Sequence, residues 1–369
     1  MVEWKKLGDI AEITIGEFVH KNKQNPNGKY PVYNGGIAPT GFYDNYNNTE
    51  NKIVISARGA TAGFVNMVLC KYWAGNSSYS IDVHPILSSW LFVFYYLKSY
   101  QSKLISDQQK GGGIPSISKK QVQDILIPIP SLEEQNRIVG ILDTFTSSID
   151  NLKEQIAQRR KQYEYYRDQL LDLEGKDESD IHTWGEFCEM IKGNGVQKVD
   201  FVEEGVGCIH YGQIYTHYGP YTYTTNKFVS QEVFENARKA SKGDIIMTDT
   251  SENVEDICKS VAYLGEDDIA VSNHALIIKH KQNPKFLSFS TQTKGFFLQK
   301  RKVVVGVKVS GIKPEHLAQI KIYLPSIEKQ NEIVDILDTF EASIQNLEAQ
   351  LSQREKQYEY YRNKLLTFE

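Results

Sequence analysis

The 369-residue sequence has few of the residues that build metal sites, disulfide frameworks or membrane spans. Its four cysteines, at positions 70, 188, 208 and 258, include no Cys-x-x-Cys pair, which predicts reduced, structural cysteines in a cytosolic protein. No run approaches the ~18 apolar residues of a membrane span, and MVEWKKLGDI at the start lacks the apolar centre of a signal peptide. We therefore expect a cytoplasmic protein.

Catalytic patterns are also missing. There is no GxxxxGK[ST] loop, no GxSxG elbow and no Asn/Asp-Pro-Pro-aromatic run of the kind that amino-methyltransferases use. The glycine triplet Gly111–Gly113 predicts a flexible loop more than a phosphate site, because no helix start follows closely. Six histidines lack metal-ligand spacing: His182, His210, His217, His274, His280 and His316. We expect no catalytic residue, no metal site and no cofactor bound by this chain.

What the sequence does have is a long repeat. The stretch from Pro130 to Leu171 recurs without a gap 195 residues later, with about two-thirds of its positions identical. The spacing is far longer than the ~20–50 residues of a solenoid repeat. It predicts a duplicated module in which a globular half and a long helix occur twice.

Both copies predict a helix with a coiled-coil seam. Ser131 and Ser326 are candidate N-caps, and Glu134 suggests a capping box in the first copy. Apolar residues then recur at heptad spacing, which is typical of a coiled coil, and about forty residues make a rod of roughly 60 Å. The predicted seam contains Leu142, Phe145, Ile149, Leu152 and Ile156 in the first helix, and Leu337, Phe340, Ile344, Leu347 and Leu351 in the second.

Arg159 and Arg354 occupy matching seam positions. Either their stems pack while the charges reach water, or they form a polar layer that fixes the register. The two helices are expected to pair with each other. Antiparallel pairing lets the second helix return toward the first globular half, which predicts a pseudo-twofold arrangement.

The two globular halves, here called head 1 and head 2, predict an α+β fold. The expected division is head 1 at 1–129, spacer helix 1 at 130–175, head 2 at 181–324 and spacer helix 2 at 325–369. Mixed short strands with one or two helices per head indicate α+β rather than βαβ units. Strands are predicted at Lys52–Ala57, Gly63–Leu69, Tyr79–Val83, Asp244–Asp249, Ser260–Leu264 and Ala275–His280, and helices at Ser88–Ser102 and Lys285–Gln299.

The net charge of −4 is unevenly distributed. Residues 1–129 hold 13 basic and 9 acidic side chains, whereas residues 130–180 hold 7 and 12. The heads are thus neutral to basic and the rods acidic, a division compatible with heads that meet phosphate, although ordinary solvated surfaces give the same split.

The chain resembles the specificity subunit of type I restriction–modification enzymes over nearly its whole length. The resemblance is carried by VISARGATAGFV (54–65), the junctions IPIPSLEEQNRIVGILD and LPSIEKQNEIVDILD, and the tails RKQYEYYRDQLL and REKQYEYYRNKLL. Head 2 departs from this pattern with DIIMTDTSENVEDIC. The resemblance implies a prokaryotic, non-catalytic subunit whose two heads are target recognition domains, each binding half of a bipartite double-stranded DNA site.

It also implies partners. The helix pair is expected to set the unread gap and to dock two modification (methyltransferase) subunits, which restriction (translocase and nuclease) subunits then join. S-adenosylmethionine, ATP and Mg would be used by those partners. The alternative function is a two-headed coiled-coil adaptor whose tyrosine-rich loops bind protein; tyrosines in loops suit DNA contacts or small cores equally.

Candidate DNA contacts are polar residues in turn-rich loops or at the Arg-Gly-Ala-Thr segment. Arginine is a common reader of guanine, although Arg58 equally suits a structural salt bridge. The candidates are Lys21, Asn34, Arg58, Thr61 and Lys110 in head 1, and Lys198, Tyr211, Gln213, Tyr215, Lys227 and Asn273 in head 2.

Overall fold

The computed structural model describes residues 2–109, 113–305 and 310–368. The chain divides into two compact units, one formed by Met1–Lys153 with Ala349–Glu369 and the other by Glu154–Glu348. Each unit therefore contains one head and one half of each long helix. The division expected from the sequence, into two heads and two spacer helices, follows the order of the chain and not these compact units. It stays a prediction.

Head 1 is a mixed α+β domain. Its strands form a four-stranded antiparallel sheet in the order β2-β8-β5-β6, a three-stranded sheet in the order β4-β3-β7, and the pair β1-β9. The elements are β1 (Glu3–Lys6), α1 (Leu7–Ile10), β2 (Ala11–Ile15), β3 (Tyr30–Tyr33), β4 (Gly41–Tyr43), β5 (Lys52–Ser56), β6 (Val65–Val68), β7 (Trp73–Ala74), β8 (Ser78–Val83), α2 (Trp90–Gln109), α3 (Lys119–Gln123) and β9 (Leu126–Ile129), followed by the long helix α4 (Leu132–Leu171).

The apolar run of β5 explains its central position. Ile53 and Ile55 pack into the main core, whereas Val54 on the opposite face packs with Val68 and Tyr72. A strand buried on both faces reads as a continuous apolar segment. The three strands predicted in this head lie where expected, and the predicted helix Ser88–Ser102 extends further, to Gln109.

Head 2 has the same α+β character with larger sheets, in the strand orders β11-β21-β17-β19-β14 and β12-β15-β13-β20-β16. The elements are β10 (Ile181–Thr183), α5 (Trp184–Phe187), β11 (Glu189–Lys192), β12 (Phe201–Val202), β13 (Val206–Ile209), α6 (Tyr211–Thr216), β14 (Tyr221–Thr222), β15 (Lys227–Val229), α7 (Gln231–Asn236), β16 (Arg238–Ala240), β17 (Ile245–Thr248), β18 (Thr250–Ser251), β19 (Ser260–Tyr263), β20 (Ile269–Val271), β21 (Ala275–Lys279), α8 (Pro284–Ser290), α9 (Lys294–Val303), β22 (Ser310–Gly311), α10 (Pro314–Leu317), β23 (Lys321–Tyr323) and the long helix α11 (Ile327–Leu365).

The single helix predicted at Lys285–Gln299 is wrong, because two helices, α8 and α9, cover this stretch. The hydroxyl of Thr293 accepts a hydrogen bond from the backbone N–H of Phe296 at 3.1 Å and so caps a new helix. The hydroxyl of Thr291 donates to the carbonyl of Ser288. Serine and threonine side chains compete for backbone groups in this way, and here they end one helix and start the next.

Both long helices begin at the predicted caps. The backbone N–H of Glu134 donates to Ser131 Oγ at 3.2 Å, and that of Lys329 donates to Ser326 Oγ at 3.4 Å. The capping box suggested for the first helix is not formed. The Glu134 carboxylate instead accepts two 2.7 Å hydrogen bonds from Arg137, which hold the pKa of Glu134 below its usual value.

Within each unit the two helix halves run antiparallel. In the first unit Phe145 stacks on Tyr361 with ring centroids 5.3 Å apart, and Lys153 pairs with Glu355, so the partner position falls as the position along α4 rises. The second unit repeats this pattern 195 residues on: Phe340 stacks on Tyr166 at 5.4 Å, and Arg160 pairs with Glu348. The antiparallel helix pair expected from the repeat is confirmed in both units.

The predicted seam positions face the packed side of these helices. Among the residues named for the seam, five are buried and five are half-buried. The buried ones are Leu142, Ile149, Leu152, Ile156 and Leu337, and the half-buried ones are Phe145, Phe340, Ile344, Leu347 and Leu351.

The two seam arginines form matching cation–aromatic contacts. The Arg159 guanidinium lies 5.8 Å from the Phe340 ring, and that of Arg354 lies 5.7 Å from the Phe145 ring. Both contacts join α4 to α11, so the repeat preserves the partner as well as the arginine. Such a contact is worth about 0.5–1 kcal/mol when exposed.

A buried glutamine joins each head to the start of its long helix. Gln135 and Gln330 are both 0% exposed. Gln135 accepts 2.8 Å hydrogen bonds from the hydroxyl of Ser88 and the N–H of Ser89, and donates to the Pro130 carbonyl. Gln330 accepts from the N–H of Asn283 at 3.0 Å and donates to Gln282 and Pro325.

Across the described ranges, no helix is long and apolar enough to cross a membrane. Residues 2–109, 113–305 and 310–368 likewise contain no group of three or more His, Cys, Asp or Glu side chains arranged to hold a metal ion.

Candidate nucleic-acid interface

In head 1, loops at the end of β5 bring three of the predicted contact residues together. The N–H of Ala57 donates to the Ser77 carbonyl at 2.7 Å and the N–H of Gly59 donates to that of Pro115 at 2.9 Å. Asn34 joins the same loops, because its side-chain oxygen accepts a hydrogen bond from the N–H of Ser77 at 3.0 Å. Asn34, Arg58 and Thr61 therefore share one loop surface.

The residues of this surface differ in how free they are to bind. The side-chain oxygen of Asn34 is already used within the fold, and Thr61 is half-buried. Arg58 is exposed, and its guanidinium forms no ion pair with any residue that the structure describes. Among the residues that the structure describes, Arg58 is thus a cation of this surface with no ion-pair partner.

The other two predicted contacts of head 1 lie apart from this surface. Lys21 is exposed in a 3-10 turn, Lys21–Lys23, which is tied to β4 by a 2.9 Å hydrogen bond from the N–H of Asn25 to the carbonyl of Phe42. Lys110 lies outside the described residues.

Two exposed isoleucines border the same loops, and sequence inspection missed them. Ile37 is 63% exposed in the segment between β3 and β4, and Ile114 is 82% exposed next to Pro115. Apolar side chains contact the methyl group of thymine in DNA interfaces. The only signal in the sequence was an apolar residue within a Gly- and Pro-rich loop.

In head 2, the candidates gather around α6. The backbone N–H of Tyr211 donates to Ser272 Oγ at 2.8 Å, and the side-chain oxygen of Asn273 accepts from the N–H of Gly195 at 3.1 Å. The Tyr215 hydroxyl donates to the carbonyl of Thr250, and burial raises the pKa of Tyr215.

Gln213 is likewise engaged within the fold. Its side-chain oxygen accepts from the N–H of His210 at 2.8 Å, and its amide donates to Asn226. Gln213 and Tyr215 therefore use their side-chain donors within the fold, whereas Asn273 uses its side-chain oxygen as an acceptor.

Lys198 and Lys227 supply exposed charge beside α6. The Lys227 ammonium lies 5.9 Å from the ring of Phe201, which in turn packs edge-on against His210. Burial lowers the pKa of His210, and the charges of Lys198 and His274 lower it further. Tyr211, Gln213 and Tyr215 lie on α6. Asn273 follows the Ser272 that binds Tyr211, and Lys227 lies beside the Phe201–His210 ring pair.

The comparisons with known proteins agree with this architecture. Residues 1–159 and 178–355 match the family of type I restriction modification DNA specificity domains, and the chain belongs to that family. The EcoR124I/EcoR124II specificity subunit of Escherichia coli is 28% identical over 364 residues, covering 93% of this chain and 83% of that protein. A putative type I restriction enzyme specificity subunit of Haemophilus influenzae is 25% identical over 395 residues, covering 100% and 96%.

The fold is also shared with a solved structure. The crystal structure of a type I restriction–modification system S subunit from M. genitalium superposes with a TM-score of 0.63 at 19% identity, covering 100% of this chain and 97% of that one. At this identity the likeness concerns the fold.

Proposed function

We propose that this chain is the non-catalytic, sequence-reading subunit of a type I restriction–modification complex, with each head binding one half of a bipartite DNA site. The proposal rests on a helix pair, α4 and α11, whose contacts are duplicated, and on two heads that differ from each other. The cation–aromatic and stacking contacts between α4 and α11 recur 195 residues apart. The heads on that frame have different sheets and different loops, as expected for two surfaces that read different half-sites.

The distribution of charged side chains indicates that the heads, and not the long helices, bind DNA. Head 1 presents the exposed Arg58, and head 2 presents the exposed Lys198 and Lys227. The stretch 130–180 has 7 basic and 12 acidic side chains, and 325–369 has 5 and 9. Phosphate repels such rods and attracts the cationic loops.

We further propose that the rods dock two modification subunits. Tyr165 on α4 is 61% exposed, and Tyr360, its counterpart on α11, is 60% exposed. Exposed aromatic side chains are enriched in protein interfaces. Because the repeat supplies this feature twice, it provides two equivalent sites for two copies of one partner. Restriction subunits complete the complex, and S-adenosylmethionine, ATP and Mg are used by those partners.

Binding of duplex DNA by the chain with its modification partner tests the proposal. The complex should bind one methylation site selectively, with an affinity that falls steeply with salt. Replacing residues 1–129 by another head of the family should change one half-site only. Equal binding to all duplexes, or a swap that alters both half-sites, contradicts the proposal, and the first result favours the protein adaptor.

A further inference from the structure

Three polar residues of head 2 lie together at one edge of its central sheet. Lys192 is the last residue of β11, Asp249 directly follows β17, and His274 directly precedes β21. Strand β21 lies between β11 and β17 and is antiparallel to both. The ends that carry these three residues therefore meet at the same edge.

Asp249 lies beneath the other two side chains. It is 5% exposed, and its Oδ1 atom has no hydrogen-bond partner among the described residues. Its Oδ2 is 3.4 Å from the Lys192 ammonium and its Oδ1 is 3.8 Å from His274 Nδ1, while the side chains of Lys192 and His274 are 63% and 52% exposed. A buried carboxylate with an unfilled acceptor costs free energy, so packing alone gives no reason for an aspartate here.

His274 is held in an unusual conformation at this edge. Its φ of +63° is left-handed, where glycine is accommodated without strain. Its carbonyl accepts a hydrogen bond from the N–H of Asp249 at 3.2 Å, and its ring lies 5.3 Å from that of Tyr211. Strained residues that a fold retains cluster at functional sites.

We propose that Lys192 and His274 contact duplex DNA in the half-site of head 2, and that Asp249 positions both side chains. This inference rests on the DNA-reading function proposed above. The group they bind is a hydrogen-bond acceptor of the duplex, either a phosphate oxygen or the O6/N7 edge of guanine. By holding two flexible side chains before DNA arrives, the carboxylate lowers the entropy lost on binding.

The test measures the affinity of the complex with its modification subunit for three duplexes: the methylation site, and that site with either half scrambled. His274→Ala and Lys192→Ala should each weaken binding to the intact site about tenfold, which corresponds to 1.4 kcal/mol. Discrimination of the half-site read by head 1 should be unchanged. Matched controls are His182→Ala, which removes an exposed His–Glu186 pair, and Lys242→Ala, which removes an exposed Lys–Glu266 pair.

A second histidine variant separates binding from folding. His274→Gly removes the imidazole and relieves the left-handed backbone, so its Tm should equal or exceed that of the wild type while affinity still falls. A uniform loss for all sequences with a shallower salt dependence identifies a phosphate contact, whereas relaxed preference at one base pair identifies guanine. Unchanged affinity and half-site preference in both His274→Gly and Lys192→Ala overturn the inference.

The role of Asp249 is tested by non-additivity. Asp249→Asn alone should weaken recognition by head 2, but it should add little in a His274→Ala, Lys192→Ala background, because the residues that it positions are gone. Full additivity means that Asp249 acts only on stability and refutes the positioning role. If the wild-type complex shows no sequence-selective binding, the proposed function fails. If the wild type binds selectively and the variants bind with the same affinity and half-site preference, only the role of these three residues fails.

Discussion

Replacing the buried Gln330 by leucine should destabilise the second unit by about 3 kcal/mol. Leucine keeps much of the volume but makes none of the three hydrogen bonds to Asn283, Gln282 and Pro325, which are 2.8–3.0 Å long. Each polar group left unsatisfied in a buried position costs about 1–3 kcal/mol, reduced here because Gln282 can turn its amide toward water. Gln135→Leu should have a similar effect on the first unit.

Urea unfolding followed by circular dichroism measures this change, and limited proteolysis locates it. Gln345→Leu is the matched control, because Gln345 is exposed on the same helix, α11. The Gln330 variant should expose head 2 to protease at lower urea than the control. If both variants unfold together with the wild type, Gln330 does not hold head 2 to its helix.

Burial, followed by the Asp338 charge, raises the pKa of Glu341 to about 7 from 4.5. The unfolded state then releases this proton more readily than the folded state, so the second unit should lose about 3 kcal/mol between pH 4.5 and 7 and little beyond. Glu341→Gln should abolish that loss, so its advantage over wild type in urea midpoint should grow from pH 5 to pH 8; a constant difference would contradict the shift. Arg58→Ala should weaken selective binding by about 1–3 kcal/mol at the half-site of head 1; unaltered affinity and preference there would remove Arg58 from the interface. Four residues inserted near Asn151 add about 6 Å and rotate the following part by about 40°, which should lengthen the methylated site's gap by one or two base pairs or abolish activity. An unchanged gap with full activity would make the rod a tether.

Features with local causes could be predicted from the amino-acid sequence. The heptad spacing placed Leu142 and Leu337 in buried seams, and Ser131 and Ser326 cap the helices because a hydroxyl lies three residues before an N–H. The apolar run Ile53–Ile55 within Lys52–Ala57 predicts a buried strand, because three successive apolar residues suit a strand covered on both faces. The stretch Lys285–Gln299 has the composition of one helix, but it also contains Thr293, whose side chain caps a new helix. Two helices form there as a result.

Contacts between side chains that are far apart in the sequence depend on the tertiary fold. Nothing in the spacing of Lys192, Asp249 and His274 indicates a cluster; they meet because β21 enters the sheet between β11 and β17. The same holds for Gln135, whose partners Ser88 and Ser89 lie more than forty residues away. Heptads and caps act through neighbours one or two turns apart, so sequence spacing records them. Strand order is set by burying apolar faces across the whole head, a balance of many small contributions that no short stretch of sequence contains.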